Sequence, residues 1–302
     1  MKLNASKLLT GLQFKQSLRY GENPHQNATW CIFEDEGISN ANQLQGKELS
    51  YNNLIDLEAA IATVQEFSGE PAVVVIKHTN PCGVAIGNDI YNALIRALDC
   101  DRTSAFGGII ALNQTVTVEC AKELTGAFYE CIVAPAFDDE AKEIFSTKKN
   151  LRILELDIED MKVNPYNVRS ILGGVLVQEK DNKPVDPSEW KVVTERIPTT
   201  QEMIDLTFAW KVCRHVRSNA ILIAREGRVL GVGAGQMNRI GSCQIALSAA
   251  QYTEGAALAS DGFFPFCDTV RLAADHGIKA IIQPGGSIKD QDSIDACNEL
   301  GM

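Results

Sequence analysis

An apolar run, Ala72-Val73-Val74-Val75-Ile76, leads directly into Lys77-His78-Thr79-Asn80-Pro81. A run of this kind predicts a buried strand, and Pro81 with Gly83 indicates that the strand ends there. Because successive side chains of a strand point to opposite faces, Lys77 and His78 reach one site only where the strand has ended. A lysine beside a histidine suits proton transfer. Two interpretations of the pentad stay open at this point: a catalytic pair, or a strand terminus with two solvated side chains.

Short apolar runs alternate with helical patterns along the rest of the chain. Thr199 and Glu202 have the spacing of a capping box, which predicts the start of a helix. The charged, proline-containing segment 179–189 is the best candidate for a linker. Alternation of strands and helices is typical of a layered α/β architecture. The predicted strands are 72–76, 108–112, 131–134, 152–156, 172–177, 220–224, 228–232 and 279–283, and the predicted helices are 53–67, 91–98, 118–129, 201–216, 241–251, 266–276 and 291–300.

Length, composition and charge narrow the class of protein. The chain has 302 residues, enough for two modest domains, and its 45% hydrophobic and 22% charged residues fit a globular protein with a sizeable core. A net charge of −11 argues against general binding of nucleic acid or of an anionic membrane. No apolar run approaches the ~20 residues that span a bilayer, and residues 1–10 lack the apolar core of a signal peptide. Nine cysteines, most of them within apolar patterns, indicate reduced thiols and a cytoplasmic protein.

The sequence predicts no zinc site, either structural or catalytic. No Cys-x-x-Cys occurs and the chain has only four histidines, whereas structural zinc needs such ligands at fixed spacing. Zinc deaminases, which the layered pattern would allow, need His-x-Glu and Pro-Cys-x-x-Cys. Here Pro81-Cys82 is not followed by a second cysteine at that spacing, and no His-x-Glu exists. Cys82 as a nucleophile paired with His78 is a weaker alternative, because no third residue is fixed to orient the pair.

Further segments carry polar or glycine-rich patterns that suit a ligand site. In 18–26, Arg19 has the planar donor fork that grips anions, although an ordinary turn explains the segment as well. The paired glycines of 104–108 permit close backbone approach to a ligand, or simply a tight turn. Segment 231–239 lacks the dinucleotide-binding spacing and favours a turn that aims Arg239 at a ligand. Segment 261–268 places aromatic rings between two carboxylates, which suits a flat heterocycle or a core.

Taken together, these segments resemble the aminoimidazole-carboxamide ribonucleotide (AICAR) formyltransferase domain of the bifunctional purine-biosynthesis enzymes. The resemblance covers nearly the whole chain and implies transfer of a formyl group from the cosubstrate 10-formyltetrahydrofolate to the 5-amino group of AICAR. It implies no catalytic metal and leaves a bound monovalent cation open. The alternative from another class is a fragment that holds nucleotide or folate without turnover. The motifs that carry the resemblance, in family order, are 18–26, 50–54, 77–83, 101–108, 218–219, 231–239, 260–268 and 284–287.

The resemblance also implies roles for individual residues. His78 resembles the proton acceptor of the family, and Lys77 resembles the group that stabilises the transition state. The positions that resemble AICAR-binding residues are Arg19, Tyr20, Gly107, Glu130 and Asn219. The positions that resemble folate-binding residues are Arg239, Ile240, Phe263, Asp268, Ser287 and Ile288.

The fold implied by the resemblance is two cytidine-deaminase-like α/β units in tandem, without zinc. The first unit is expected at 1–179 and carries Lys77 and His78, the linker at 180–200, and the second unit at 201–302. The family's IMP cyclohydrolase domain and its short C-terminal tail are not expected within this chain. The resemblance also implies a homodimer with its sites at the subunit interface. Neither a nucleic acid nor a membrane is expected as a partner.

Overall fold

The computed structural model describes residues 11–33, 36–159, 161 and 165–302, and strands alternate with helices through most of them. The strands there are β1 (Leu12–Leu18), β2 (Ala28–Phe33), β3 (Asn42–Gln45), β4 (Ala72–Lys77), β5 (Asn80–Ile86), β6 (Ile109–Leu112), β7 (Cys131–Ala134), β8 (Arg152–Glu155), β9 (Tyr166–Ile171), β10 (Gly174–Glu179), β11 (Ile221–Arg225), β12 (Arg228–Gly233), β13 (Ala257–Ser260) and β14 (Ala280–Ile282). The α-helices are α1 (Tyr51–Val64), α2 (Ile90–Leu98), α3 (Arg102–Ala105), α4 (Val118–Thr125), α5 (Asp139–Ser146), α6 (Thr200–Cys213), α7 (Arg239–Ala249), α8 (Asp268–Asp275) and α9 (Asp290–Leu300).

One mixed sheet of ten strands organises the described part of the chain. Its order is β14-β13-β11-β12-β5-β4-β6-β7-β8-β3, while β1–β2 and β9–β10 are separate antiparallel hairpins. The pairs β6–β7, β7–β8 and β13–β14 are parallel, and the other neighbours are antiparallel. Strands such as β4 and β7 are covered on both faces, which explains their continuous apolar sequences. The predicted layered α/β class is confirmed at this level.

Helices cover both faces of the sheet and give three layers. On one face, α1 and α6 share a buried core with β4, β6 and β11, and the rings of Phe67 and Phe208 lie 5.2 Å apart there. On the other face, α2, α4 and α5 pack beside the strands of the first half, while α7, α8 and α9 pack beside β11 and β13. The core shared by α1 and α6 therefore ties the first half of the chain to the second.

The order of elements in the first half recurs in the second. The series α1-β4-β5-α2 corresponds to α6-β11-β12-α7, and the strand order β5-β4-β6-β7 corresponds to β12-β11-β13-β14. The helices α1 and α6 both begin with a capping box, formed by Ser50 with Asn53 and by Thr199 with Glu202. The helix start predicted at Thr199 is thus confirmed. The strands β5 and β12 pair antiparallel where the two halves meet.

The predicted end of the first buried strand is correct, but the residues that were expected to break it lie elsewhere. A two-residue turn joins β4 directly to β5, so Pro81 and Gly83 lie inside β5 and not beyond a strand end. Pro81 pairs with Ile76 next to a register irregularity, where a residue without an N–H disturbs the ladder least. The two site candidates at the strand end are therefore presented by a tight hairpin.

Two strand glycines set the distance between the sheet and its helices. A Cβ at Gly83 would overlap the carbonyl oxygen of Ala97 in α2, and a Cβ at Gly231 would overlap that of Ala246 in α7. Gly231 lies in β12, as the predicted strand 228–232 requires. The turn follows later, at Gly235, whose φ is +68°. Absence of a side chain at these two strand positions permits close helix packing.

We expect Gly231→Ala to lower the free energy of unfolding by about 1–3 kcal/mol, because the new methyl group must displace the backbone of α7. Thermal or urea unfolding measures the loss. Gly174→Ala is the matched control: no atom lies within 4 Å of its added Cβ, and we expect a change within about 0.5 kcal/mol. Equal stability of the two variants would contradict the close packing of α7 on β12.

Candidate active site

The turn between β4 and β5 holds two non-glycine residues in the left-handed region. His78 has φ of 51° and Thr79 has φ of 62°. Such conformations cost of order 1–3 kcal/mol each, and for a β-branched threonine they are rare. Asp56 of α1 accepts a 2.7 Å hydrogen bond from the Thr79 N–H. Strain of this kind, held by a specific partner, is characteristic of functional turns.

Lys77 lies at the end of β4 with its ammonium already directed. Its Nζ donates a 2.9 Å hydrogen bond to the carbonyl oxygen of Phe106. The next residue, Gly107, has φ of +68°, and a Cβ there would come within 3.0 Å of Nζ. The Phe106 ring packs on Phe128 at 5.4 Å between centroids. The structure therefore brings together three predicted residues, because His78 adjoins Lys77 and Gly107 lies against the ammonium.

Asn80 connects this turn to the second half of the chain. Its Nδ2 donates to the His78 carbonyl oxygen at 3.0 Å, and its Oδ1 accepts from the Arg217 N–H at 3.1 Å. The Thr79 hydroxyl also donates to the His78 carbonyl oxygen, at 2.7 Å. Asn219, a predicted AICAR-binding residue, lies two positions beyond Arg217. The histidine turn is thus coupled to the segment that carries Asn219.

A cleft of about 250 Å³ opens beside the turn, between β5 and β12. Lys77, Asn80, Asp101 and Ser104 supply polar groups to its lining. Asp101 is not free to move, because its carboxylate accepts from the Ser104 N–H at 2.9 Å and from the Ser104 hydroxyl. Cys82 also lines the cleft, but burial raises the pKa of its thiol to about 12. A thiol that stays protonated gives no support to Cys82 as a nucleophile.

A second polar cluster surrounds Arg239 at the start of α7. The guanidinium donates to Asn219 Oδ1 at 2.7 Å, to Ser260 Oγ at 2.8 Å and to Asp261 Oδ1 at 2.6 Å, and the side chain is only 9% exposed. Burial would raise the pKa of Asp261, but hydrogen bonds from Ser218, Arg239 and the Ala220 N–H outweigh it and lower that pKa. Arg239 and Asn219, assigned to different ligands from sequence, are therefore bonded to each other.

The remaining AICAR-binding candidates, Arg19, Tyr20 and Glu130, have different surroundings. Arg19 is exposed, with its guanidinium 5.5 Å from the centre of the Tyr20 ring. Glu130 forms a 2.7 Å ion pair with Arg152, and its N–H donates to the Gly108 carbonyl oxygen at 3.0 Å. Glu130 is thus tied to the glycine turn beside Lys77, whereas the contacts found for Arg19 and Tyr20 are with each other.

The folate-binding candidates other than Arg239 lie in α7, in α8 and in the loops that follow β13 and β14. Ile240 follows Arg239 in α7, and Phe263 is 45% exposed in the loop after β13. Asp268 is the first residue of α8 and accepts from the Thr269 N–H at 2.7 Å. Ser287 accepts from the Lys289 N–H at 3.0 Å, and Ile288 is fully exposed. The exposed aromatic and aliphatic side chains leave apolar surface for a flat ring.

Sequence reasoning missed Asp56, Asn80 and Arg217 as parts of the site. The signal for Asp56 was an internal correspondence: it is the sixth residue of the capped helix α1, and Asp205 is the sixth residue of the capped helix α6. Asp205 accepts a 2.7 Å hydrogen bond from the Glu226 N–H in the β11–β12 turn. In both halves, therefore, an aspartate at the same helix position accepts a backbone N–H from the turn, at the second turn residue in the first half and at the first turn residue in the second half.

Among the described residues, no group of three or more His, Cys, Asp or Glu side chains could hold a metal ion. No helix in the same part of the chain has the length and apolar character needed to cross a bilayer.

Comparison with known proteins finds extensive similarity. The family model for the AICARFT/IMPCHase bienzyme matches residues 2–249. Proteins called bifunctional purine biosynthesis protein PurH are 60% identical in Prochlorococcus marinus (strain NATL1A) and 61% identical in Synechococcus sp. (strain CC9311), each over 97% of this chain and 59% or 58% of that protein. The chain thus spans about three fifths of the curated relatives that it matches. A solved structure of Acinetobacter baumannii RibD covers 36% of this chain and 35% of that one, with 17% identity and a TM-score of 0.26.

We expect Asp261→Asn to lower the free energy of unfolding by about 2–4 kcal/mol at pH 7, because the buried Arg239 charge loses its partner. The pKa of Asp261 is lowered on folding, so its stabilising effect is present above the ordinary value of 3.8 and is lost as the pH falls through the lower folded pKa. The difference between wild type and variant, measured by urea unfolding, should therefore shrink at acidic pH.

Glu299→Gln is the control for that measurement. Its pair with Arg271 lies at the surface, with both side chains about half exposed or more, and should contribute much less than the buried pair of Asp261 and Arg239 because solvent screens it. A loss for Asp261→Asn as small as that for Glu299→Gln would show that the buried network contributes little.

Proposed function

The chain belongs to the AICARFT/IMPCHase bienzyme family, and we propose that it transfers the formyl group of 10-formyltetrahydrofolate to the 5-amino group of AICAR. The products are formyl-AICAR and tetrahydrofolate. The observation that carries the proposal is the presentation of Lys77 and His78 on a strained hairpin beside a cleft, with the lysine Nζ fixed 2.9 Å from the Phe106 carbonyl oxygen. An exposed imidazole next to a directed ammonium suits acyl transfer to a weak amine.

The proposed chemistry uses one group for the proton and one for the negative charge. The amine nitrogen attacks the formyl carbon, and the carbonyl electron pair moves onto oxygen. His78 takes the proton that the nitrogen loses, and the Lys77 ammonium stabilises the oxyanion. Collapse of the tetrahedral intermediate breaks the bond to the folate nitrogen, which leaves with a proton from His78 or Lys77.

For the nucleotide, we propose binding by Arg19, Tyr20, Gly107, Glu130 and Asn219. Glu130 and Gly107 lie at the glycine turn beside Lys77. Asn80 couples the turn after Lys77 to Arg217 and so to the segment that carries Asn219, which supports a single nucleotide site. Arg19 is exposed and available to an anion such as phosphate.

For the folate, we propose binding by Arg239, Ile240, Phe263, Asp268, Ser287 and Ile288. The bond from Arg239 to Asn219 supports a shared border between the folate and nucleotide regions. Arg239 contributes there mainly by fixing its neighbours, since its guanidinium is occupied by Asn219, Ser260 and Asp261. The exposed Phe263 and Ile288 offer apolar contact to a ring.

We further propose that the fold is a tandem of two cytidine-deaminase-like units, 1–179 and 201–302, joined by 180–200. The recurrence of helix and strand order in the two halves supports this division. A homodimer in the cytoplasm, with no metal in catalysis, completes the proposal. Exposed apolar residues on the β9–β10 hairpin, such as Leu172 and Leu176, are compatible with a subunit contact.

We expect His78→Ala to reduce formyl transfer about 10²–10⁴-fold while AICAR and folate still bind, because the variant removes the proton acceptor. Lys77→Ala should also lower the rate, and the double variant should lose less than the product of the two effects. Single-turnover assays with both ligands saturating separate chemistry from binding. His276→Ala, an exposed histidine after α8, is the control and should keep the wild-type rate. Wild-type turnover by His78→Ala would remove His78 from the mechanism.

We expect Arg19→Ala to weaken AICAR binding by more than tenfold and to leave folate affinity within about twofold, since a charge-assisted bond to an anion is worth about 1.5–3 kcal/mol. Calorimetry with each ligand alone is the measurement. Arg271→Ala, which breaks a surface ion pair, serves as the control. A loss confined to folate would contradict the assignment of Arg19.

A further inference from the structure

We propose that Asp56 is the positioning residue of the catalytic pair: it holds the turn after β4 so that Lys77 lines the cleft and His78 is presented beside it. The inference rests on the proposed formyl transfer, because it assigns a task to a residue outside the groups that would touch substrate. It adds a residue from α1 to the elements that build the site.

The turn after β4 has a backbone conformation that non-glycine residues rarely adopt. His78 and Thr79 both lie in the left-handed region, and neither is glycine. The Asp56 carboxylate of α1 fixes the turn by accepting a 2.7 Å hydrogen bond from the Thr79 N–H. The turn is fixed from the side by Asn80, which bonds the His78 carbonyl oxygen. The turn is therefore held at the Thr79 N–H by a side chain from another element, α1, and at the His78 carbonyl oxygen by its own neighbour Asn80.

The charge of Asp56 also bears on the pair. Asp56 is half-buried beneath the turn, and burial raises the pKa of its carboxyl group, while the turn N–H groups and the charges of His78 and Lys77 oppose that rise. The carboxylate is thus placed where it interacts favourably with protonated His78 and with the Lys77 ammonium. It reaches the histidine through the backbone, which fixes position without occupying the imidazole.

The turn between β11 and β12 has a similar aspartate contact but carries no lysine–histidine pair. In the second half, Asp205 accepts a 2.7 Å hydrogen bond from the Glu226 N–H, in the turn formed by Glu226 and Gly227. Those residues have φ of 52° and 68°, so the backbone conformation is the same. Glycine adopts it freely at the second position, whereas the first half keeps Thr79. The strained version coincides with the lysine–histidine pair.

Loss of the Asp56 carboxylate should let the turn relax and displace both catalytic side chains. Misplacement of a catalytic group by about 1 Å can lower the reaction rate about 10²-fold. The effect should fall on the rate with both ligands bound, because the residues proposed to hold phosphate and the folate ring lie elsewhere.

The test compares Asp56→Ala, Asp56→Asn and Asp205→Ala in this chain. Single-turnover formyl transfer at saturating AICAR and 10-formyltetrahydrofolate should fall about 10–100-fold for Asp56→Ala. AICAR affinity, measured by calorimetry, should stay within twofold. Asp56→Asn keeps an oxygen acceptor and should recover at least tenfold of the loss. Asp205→Ala should keep the rate of formyl transfer within twofold. It should lower the melting temperature at least as much as Asp56→Ala does, because the Asp205 side chain is less exposed than that of Asp56.

Amide hydrogen exchange gives a readout that does not depend on activity. Exchange at the Thr79 N–H should accelerate in Asp56→Ala, and exchange at the Glu226 N–H should accelerate in Asp205→Ala. Equal rate losses in Asp56→Ala and Asp205→Ala, or a wild-type rate in Asp56→Ala, would overturn the inference. Absence of transfer by the wild-type chain would instead defeat the proposed function, and unchanged Thr79 exchange in Asp56→Ala would then still reject the role of Asp56.

Discussion

The antiparallel contact between β5 and β12 is the constraint on which the rest of the structure depends. It joins two groups of strands, each with its own helices, into one sheet, and it is reinforced by the bond from the Ile86 N–H to the Gly227 carbonyl oxygen at 2.9 Å. The cleft lies directly over this junction. Residues from both halves can therefore meet at one site only because the two strand edges meet here.

Close packing above the junction follows from the same constraint. Gly83 and Gly231 occupy the two joined strands, and each admits the backbone of a helix where a side chain would collide. On the opposite face, α1 and α6 share a core across the junction. The site is consequently supported from both layers, which suits chemistry that needs fixed positions.

Much of this arrangement could be predicted from the sequence, for identifiable reasons. The buried run before Lys77 is a continuous apolar segment, and the capping box at Thr199 is a local hydrogen-bond pattern, so both were recognisable. The strand β5 was missed because Pro81 and Gly83 are usually breakers, and their tolerance depends on a bulge and on a neighbouring helix. The contact between Asp56 and the turn was equally hidden, since it joins residues from separate elements. The links from Asn80 to Arg217 and from Arg239 to Asn219 likewise arise only from tertiary structure.

The turn between β11 and β12 offers a second position in the fold for a lysine–histidine pair. It repeats the backbone of the β4–β5 turn at the other end of the paired strands, yet carries Arg225 and Glu226 where the first turn carries Lys77 and His78. Grafting the pair there, as Arg225→Lys with Glu226→His, would reproduce the peptide geometry among different neighbours. The β11–β12 turn thus allows the contribution of the turn backbone to the reactivity of the pair to be separated from the contribution of the surrounding pocket.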